Sequence, residues 1–310
     1  MRPVERLPEA QDLYAGVLMA RVAARLAAAG SETSRLDAEL LVGHAFGRDR
    51  TWLHAHPDAP LDPESRAALE EWVARRTRGE PVAYIRGYKE WFGMRVATDV
   101  RALIPRPETE LLAESAIAEI AARLVRDDRS LLAWDVATGS GAVALALALR
   151  FRTAITLGRV RLIASDISAD ALELASENLA AHRAASLATV VLGDLLDELD
   201  GGIDPPRAVD LVTANLPYVA RAEALLRVGS HAFEPRLALD GGADGLDVVR
   251  RLVAQLPDRL ASGGVALLEV GAGQARAVRA MAESIPWPTA ITLLPDLSGT
   301  ERVVRIARLD

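Results

Sequence analysis

Cysteine is absent from the 310 residues, which removes disulfides, zinc–thiolate sites and thiol nucleophiles together. Positive charge is in deficit as well. With 36 basic residues against 43 acidic ones the net charge is −7, so no global positive field draws the chain to nucleic acid. Lysine is almost missing: Lys89 stands alone among the arginines, a bias that fits a GC-rich genome and carries no function. Long apolar runs are lacking too. The longest, Ala142–Leu149, is too short to cross a bilayer. The opening Met1-Arg2-Pro3-Val4-Glu5-Arg6 has no apolar core of the signal-peptide kind. There is no internal repeat. What remains is half apolar and a quarter charged, the profile of a soluble, cytoplasmic protein with room for roughly two domains.

The first 78 residues read as helices. Leu13–Ala29 is rich in Ala, Leu, Val and Arg and stops at Gly30; Ser34 is placed to cap a second helix that closes at Gly47. Asp62-Pro63 offers an N-cap followed by proline in the first helical position, for a helix ending near Arg78 and Gly79. From Pro81 to Val100 the pattern turns to Val82, Tyr84, Ile85, Trp91, Phe92, Met94 and Val96, broken by Gly87 and Gly93, which reads as a β-hairpin or extended bridge. Pro105 and Pro107 stiffen its exit. Beyond Leu111 short apolar runs at Leu131–Val136, Val160–Ser165, Thr189–Leu192, Val209–Thr213 and Val265–Val270 suit buried parallel strands. Helical stretches near 142–150, 168–182 and 245–260 separate most of them, and two more strands fit Ile291–Leu294 and Arg302–Ala307. Gly201–Pro206 reads as a surface loop. Repeated βα units imply a doubly wound sheet with ligands at the carboxyl ends of its strands.

Three strand ends carry cofactor-like chemistry. At Trp134-Asp135-Val136-Ala137-Thr138-Gly139-Ser140-Gly141-Ala142 a strand ends, glycines turn the chain and a helix begins, which leaves free N–H donors beside small residues. A tight βα connection would look similar. The next strand ends on Asp166, which can accept both hydrogen bonds of a ribose diol, an arrangement that also fits a dinucleotide fold. The third ends at Gly193-Asp194-Leu195, where an acid can meet an adenine amino group and Leu195 can cover the ring. A helix N-cap is the other reading of Asp194.

The fourth strand ends on Asn215-Leu216-Pro217-Tyr218. An amide nitrogen is a poor nucleophile because its lone pair is delocalised, so it must be held in line with an electrophilic methyl and kept dry. The Asn215 side-chain oxygen and the Leu216 carbonyl can each accept one N–H of such a target. Pro217 fixes the turn and removes a competing donor, and Tyr218 can pack on a flat group. A dehydrogenase has no use for this set. His44, His54, His56, His182 and His231 are scattered, and His54-Ala55-His56 lacks a third ligand, so no metal site is expected.

With these motifs in this order, the chain after Ser34 resembles the protein-(glutamine-N5) methyltransferases that modify peptide-chain release factors. The specific stretches are Arg78–Gly87, Leu103-Ile104-Pro105-Arg106-Pro107-Glu108-Thr109-Glu110, Phe233–Leu239, Gly241–Asp247, and Leu268-Glu269-Val270-Gly271 with Gln274. The resemblance implies an α/β, class I S-adenosylmethionine-dependent methyltransferase fold with a mostly parallel seven-stranded sheet. Its domains would be a helical substrate-recognition domain over 1–78, a β-hairpin linker over 79–105 and a methyltransferase domain over 106–310. It implies S-adenosylmethionine at Ala137, Thr138, Gly139, Ser140, Gly141, Asp166, Asp194 and Leu195, bordering Asn215, and a substrate glutamine at Asn215 to Tyr218. The partner would be the Gly-Gly-Gln loop of class I release factors, with no stable nucleic-acid binding and no membrane. Leu216 departs from the family's usual Asn-Pro-Pro-Tyr and places a bulkier, more flexible side chain at the slot. Asn-Leu-Pro-Tyr is similar to the motif of ribosomal RNA adenine dimethyltransferases. A ribosomal protein, or adenine N6 of RNA or DNA, is therefore the alternative substrate.

Overall fold

The computed structural model describes residues 13–126, 128–200, 204–226 and 232–309. The N-terminal hexapeptide, His231 and the first half of the Gly201–Pro206 loop lie outside them. The chain divides into two compact units, one running through Gly87 and taking in Phe233, the other beginning at Tyr88.

The first unit is helical: α1 (Ala15–Ala28), α2 (Ser34–Phe46), α3 (Arg50–Ala55), α4 (Pro63–Thr77) and α5 (Val82–Arg86). Leu18, Val22, Leu26, Leu41, Leu53, Leu69 and Val73 form its core. Asp62 caps α4 by accepting from the Ser65 N–H at 2.9 Å, with Pro63 in the first turn. Ser34 does not cap α2; Thr33 takes the N-cap position without a capping bond. The Ser31 and Thr33 hydroxyls donate instead to the buried Asp37, which also pairs with Arg76 at 2.8 Å. Val82–Arg86 is a helix rather than the start of a hairpin. Pro81 sits at its N-cap and Gly87 closes it in the left-handed region, and Val82 and Ile85 are buried in the helical core. Tertiary burial outweighs the β-propensity of Val, Tyr and Ile here.

The second unit opens with a hairpin, β1 (Tyr88–Trp91) and β2 (Met94–Ala97), shorter than the bridge expected over 79–105. There follow α6 (Thr109–Arg126), β3 (Leu131–Val136), α7 (Ala142–Arg150), α8 (Arg152–Thr156), β4 (Val160–Asp166), α9 (Ala169–Ala181) and β5 (Thr189–Asp194). The chain continues through β6 (Glu198–Leu199), β7 (Val209–Asn215), α10 (Arg221–Leu226), α11 (Asp247–Arg259), β8 (Leu260–Glu269), α12 (Ala275–Glu283), β9 (Thr289–Pro295) and β10 (Glu301–Arg308). The sheet order is β6-β5-β4-β3-β7-β8-β10-β9. Strands β5, β4, β3, β7 and β8 are parallel, β10 is antiparallel to both neighbours, and the two-residue β6 adds an antiparallel edge to the seven expected strands. All six residues of β3 are buried, as a strand covered on both faces requires. Leu131 and Ala133 join the cluster that holds Leu112, Ile120, Leu145 and Leu147, while Leu132, Trp134 and Val136 join the one that holds Val249, Leu252, Val278 and Ala282.

After β3 the chain builds outward to β4 and β5, then returns to lay β7 on the other side of β3. The strand order therefore reverses between β3 and β7, and the crevice at their carboxyl ends is where a doubly wound sheet binds ligands. Gly141, at φ +77°, lets α7 pack tightly on α9, since a Cβ there would lie 2.9 Å from the Ala175 Cβ.

Asn178 on α9 ties the hairpin to this crevice. Its amide accepts from the Ala97 N–H at 2.7 Å and donates to the Ala97 and Ser140 carbonyls at 3.1 and 2.9 Å. Asn178→Ala strands three backbone groups and is expected to cost about 2–4 kcal/mol, read as a lower urea midpoint. An unchanged midpoint would contradict the role of this tie.

Candidate active site

A cavity of about 290 Å³ opens at the β3/β7 crevice, near the lower end of small-molecule sites at roughly 300 Å³. Ala137, Thr138, Gly139, Ser140, Asp166, Asp194, Leu195, Asn215, Leu216 and Pro217 line it. Gly141 and Tyr218 are not among the lining residues. Gly141 serves as the N-cap of α7, and Tyr218 is a half-buried residue next to the lining Pro217.

The loop after β3 is fixed from below by Asp135. This buried carboxylate accepts from the Thr138 hydroxyl at 2.6 Å and from the Thr213 hydroxyl of β7 at 2.7 Å. Burial pushes its pKa up to about 6, while the two hydroxyl bonds and the Ala144 N–H hold it down. Asp166, at the tip of β4, accepts from the Gly139 N–H and the Ser168 N–H, each at 2.9 Å. Its carboxyl is also raised by burial, against those backbone bonds. The backbone is held in the left-handed region at Ala137 (φ +53°) and Leu195 (φ +55°). Such conformations persist where surrounding structure enforces them, and they cluster at ligand sites.

Asp194 does not cap a helix. β5 turns directly into β6, and the Asp194 carboxylate pairs with Arg251 of α11 at 2.6 Å. The Leu195 side chain is buried at the cavity wall.

At the tip of β7, Asn215 Nδ2 donates to the Thr109 hydroxyl at 3.1 Å. Among the described residues nothing donates to Asn215 Oδ1. The Leu216 side chain does not project into the slot as the sequence suggested. It is 2% exposed and packs in the core with Trp134, Val136 and Leu268, because strand alternation sends neighbours to opposite sides. The Tyr218 carbonyl accepts from Gln274 Nε2 at 2.9 Å, and Gln274 Oε1 accepts from the Gly271 N–H at 2.9 Å. Burial lifts the Tyr218 hydroxyl to about 12. Gly245, at φ +80°, passes so close to the Tyr218 carbonyl that a Cβ would lie 2.3 Å from it.

Several residues that build the surroundings of the cavity were visible in the sequence as motif members without a role. Glu234, fully buried, accepts from Arg106 at 2.5 Å and from the Ile104 N–H at 3.2 Å, which pins the Pro105-Arg106-Pro107 segment at the mouth. Thr109 lines the cavity beside Asn215, and Glu269 of β8 is the register partner of Asn215. Asp135 and Thr213 had no signal beyond being polar within apolar strands, which is itself a warning that they have partners. His54 reaches Glu39 at 3.3 Å, and no cluster of three metal-ligating side chains occurs among the described residues. No described helix is long and apolar enough to cross a membrane.

The parallel sheet with its reversal at β3/β7 and the antiparallel β10 are those of the class I methyltransferase fold. Residues 18–87 match the PrmC N-terminal domain. Over 280 residues the chain is 36% identical to the release factor glutamine methyltransferase of Rhodopirellula baltica, covering 90% of this chain and 91% of that one. Its identity to the enzyme of the same name from Koribacter versatilis is 38% over 280 residues, covering 90% and 93%. The ribosomal protein L11 methylase structure from Lactobacillus delbrueckii subsp. bulgaricus superposes with a TM-score of 0.45 at 20% identity, over 72% of this chain and 91% of that one. The chain belongs to the release factor glutamine methyltransferase family.

Asp135 gives a pH test. Its folded pKa of about 6 exceeds the ordinary 3.8, so its favourable contribution is complete below pH 4 and lost as pH rises through 6. Relative to Asp135→Asn, wild type should lose up to about 3 kcal/mol of unfolding free energy between pH 4 and 7, at 1.36 kcal/mol per pH unit. Urea unfolding of both proteins across that range measures it; a constant difference would contradict the burial argument.

Proposed function

We propose that the protein transfers a methyl group from S-adenosylmethionine to the side-chain N5 of the glutamine in the Gly-Gly-Gln motif of class I release factors. The observation that carries this reading is the setting of Asn215. Its Nδ2 donates to the Thr109 hydroxyl and no described group donates to Oδ1, which leaves that oxygen as an acceptor at the cavity that Asn215 and Leu216 line.

The donor set suits the cofactor. Asp166 retains lone pairs for a ribose diol after its two backbone bonds, since a carboxylate offers about four acceptor sites. Gly139 and Ser140 allow close approach, Leu195 and Ile167 give apolar cover, and Asp194 stands at the far wall. When bound, the cofactor supplies an electrophilic methyl on a sulfonium. Asn215 Oδ1 and the Leu216 carbonyl then accept the two N–H groups of the substrate amide and aim its lone pair. Pro217 has no N–H to compete for those acceptors. Tyr218, its carbonyl fixed by Gln274, shapes the slot. The nitrogen sheds its surplus proton to solvent after transfer, so no dedicated base is needed.

The helical unit supports grip on the release factor, in line with its match to the PrmC N-terminal domain. The net charge of −7 favours a protein over a polyanionic substrate, and the reading places the enzyme in the cytoplasm with its substrate.

Two substitutions separate the roles. Asp166→Ala is expected to weaken S-adenosylmethionine binding by about 1.5–3 kcal/mol, the worth of hydrogen bonds to a charged group, in isothermal titration. Asn215→Ala should bind the cofactor normally and lose about 10²–10³ in methyl transfer to release factor. Wild-type cofactor affinity in the first, or near-normal turnover in the second, would remove that residue from its role. Leu216→Pro removes a side chain buried in the core, so it should lower the urea midpoint, while the folded fraction still transfers methyl to release factor because the carbonyl is retained and φ is fixed. Parallel assays with ribosomal RNA need fixed salt, since phosphate contacts are strongly salt-dependent. Methylation of RNA and none of release factor would overturn the substrate assignment.

A further inference from the structure

Glu269 ends β8, the strand that pairs with β7 in parallel, and its register partner is Asn215 itself. It is 1% exposed. The Thr109 hydroxyl and the Asn215 amide both hold its pKa down against burial, while Oε2 has no hydrogen-bond partner among the described residues. A buried acid with an unsatisfied oxygen is costly, so its presence behind the reacting end calls for a reason. Glu269 is not among the residues that line the cavity, so its effect on the reaction would pass through its neighbours.

We propose that Glu269 is a positioning residue: with Thr109 it captures the NH₂ of Asn215 and so fixes which end of that amide faces the substrate nitrogen. An asparagine amide is nearly symmetric in shape but has opposite chemistry at its two ends. Flipped by half a turn, Asn215 would present donors to a substrate that also donates, and the slot would repel the amide it must aim. Thr109 alone does not settle the matter, because a hydroxyl both donates and accepts and serves either orientation. An acid behind it does settle it. With the Thr109 proton directed to Glu269, the hydroxyl oxygen turns to Asn215 as an acceptor, and the second Nδ2 hydrogen meets the carboxyl. Burial lifts the Glu269 carboxyl to about 7, with Glu108 acting in the same direction and Thr109, Arg302 and Asn215 opposing it. Acceptor geometry rather than full charge is therefore what the arrangement needs, and a neutral side chain of the same shape should serve.

This rests on the proposed role of Asn215, and a double-mutant cycle distinguishes the two. Glu269→Ala is expected to lower kcat about 10- to 100-fold, the scale of a small misplacement of a reacting group. KM for release factor and affinity for S-adenosylmethionine should hold within about threefold, well inside the change in kcat. In an Asn215→Ala background the same change should add nothing, because Glu269 acts through the missing amide. Glu269→Gln should regain most of the lost kcat. Glu269→Met, which fills the same volume without an acceptor, is read in place of alanine should the alanine variant fail to fold. If Asn215→Ala is impaired and Glu269→Met turns over normally, the positioning role is wrong and the reading of Asn215 stands. If the Glu269 effect persists undiminished in the Asn215→Ala background, it does not act through Asn215 and the proposal falls. Near-normal turnover by Asn215→Ala overturns both.

Discussion

The carboxylate of Asp135 joins the two halves of the site. One oxygen holds Thr138 in the loop after β3, the other holds Thr213 in β7, two residues before Asn215. The glycine loop proposed to carry the methyl donor and the strand tip proposed to aim the acceptor are thereby fixed to one buried atom group. In-line transfer between two bound molecules tolerates little misplacement, of the order of 1 Å. One buried carboxylate hydrogen-bonded to both surfaces meets that demand better than loop–loop packing would. The remaining devices extend the same frame. Asp166 holds Gly139 from the next strand, Asn178 holds the Ser140 carbonyl from α9, and Gln274 holds the Tyr218 carbonyl from the turn after β8.

Acids at the tips of β3, β4 and β8 all have pKa values raised by burial. Each costs the fold something, since a buried carboxyl stabilises only when its hydrogen bonds are complete. Their common place at the carboxyl ends of parallel strands is where a doubly wound sheet receives ligands. The acids that line the cavity itself, Asp135, Asp166 and Asp194, suit the cationic sulfonium of the proposed cofactor electrostatically. The arginines stand mostly outside this ring: Arg106 is taken up by Glu234 and Arg251 by Asp194. Both pairs span elements distant in sequence, and both shape the mouth of the cavity.

The sheet was legible because its strands are buried on both faces and read as plain apolar runs; Leu131–Val136 coincides with the observed β3 residue for residue. The residues that gather at the cavity were legible because they sit at strand ends, where chemistry-bearing side chains interrupt those runs. Val82–Arg86 misled because Val, Tyr and Ile favour strands in isolation, and only the helical core around them imposes a helix. The Leu216 side chain was misplaced because its direction depends on which face of β7 meets the core. Thr109 and Glu269 were present in the motifs that resembled the family, but their partnership with Asn215 spans over a hundred residues on one side and a strand pairing on the other. Sequence order hides it, since β7 and β8 are neighbours only after α10 and α11 have been placed. For Asp194 the sequence left a helix cap open as a second reading, and it falls away because the chain turns into β6 and the carboxylate pairs with Arg251.

The most direct measurement is mass spectrometry of a class I release factor incubated with the wild-type protein and S-adenosylmethionine, with fragmentation of the peptide that contains Gly-Gly-Gln. The expected result is the mass gain of one methyl group on the glutamine side chain, absent without the cofactor. An unmodified glutamine in the presence of folded enzyme with bound cofactor would contradict the proposed substrate, as would a methyl group carried elsewhere on the release factor.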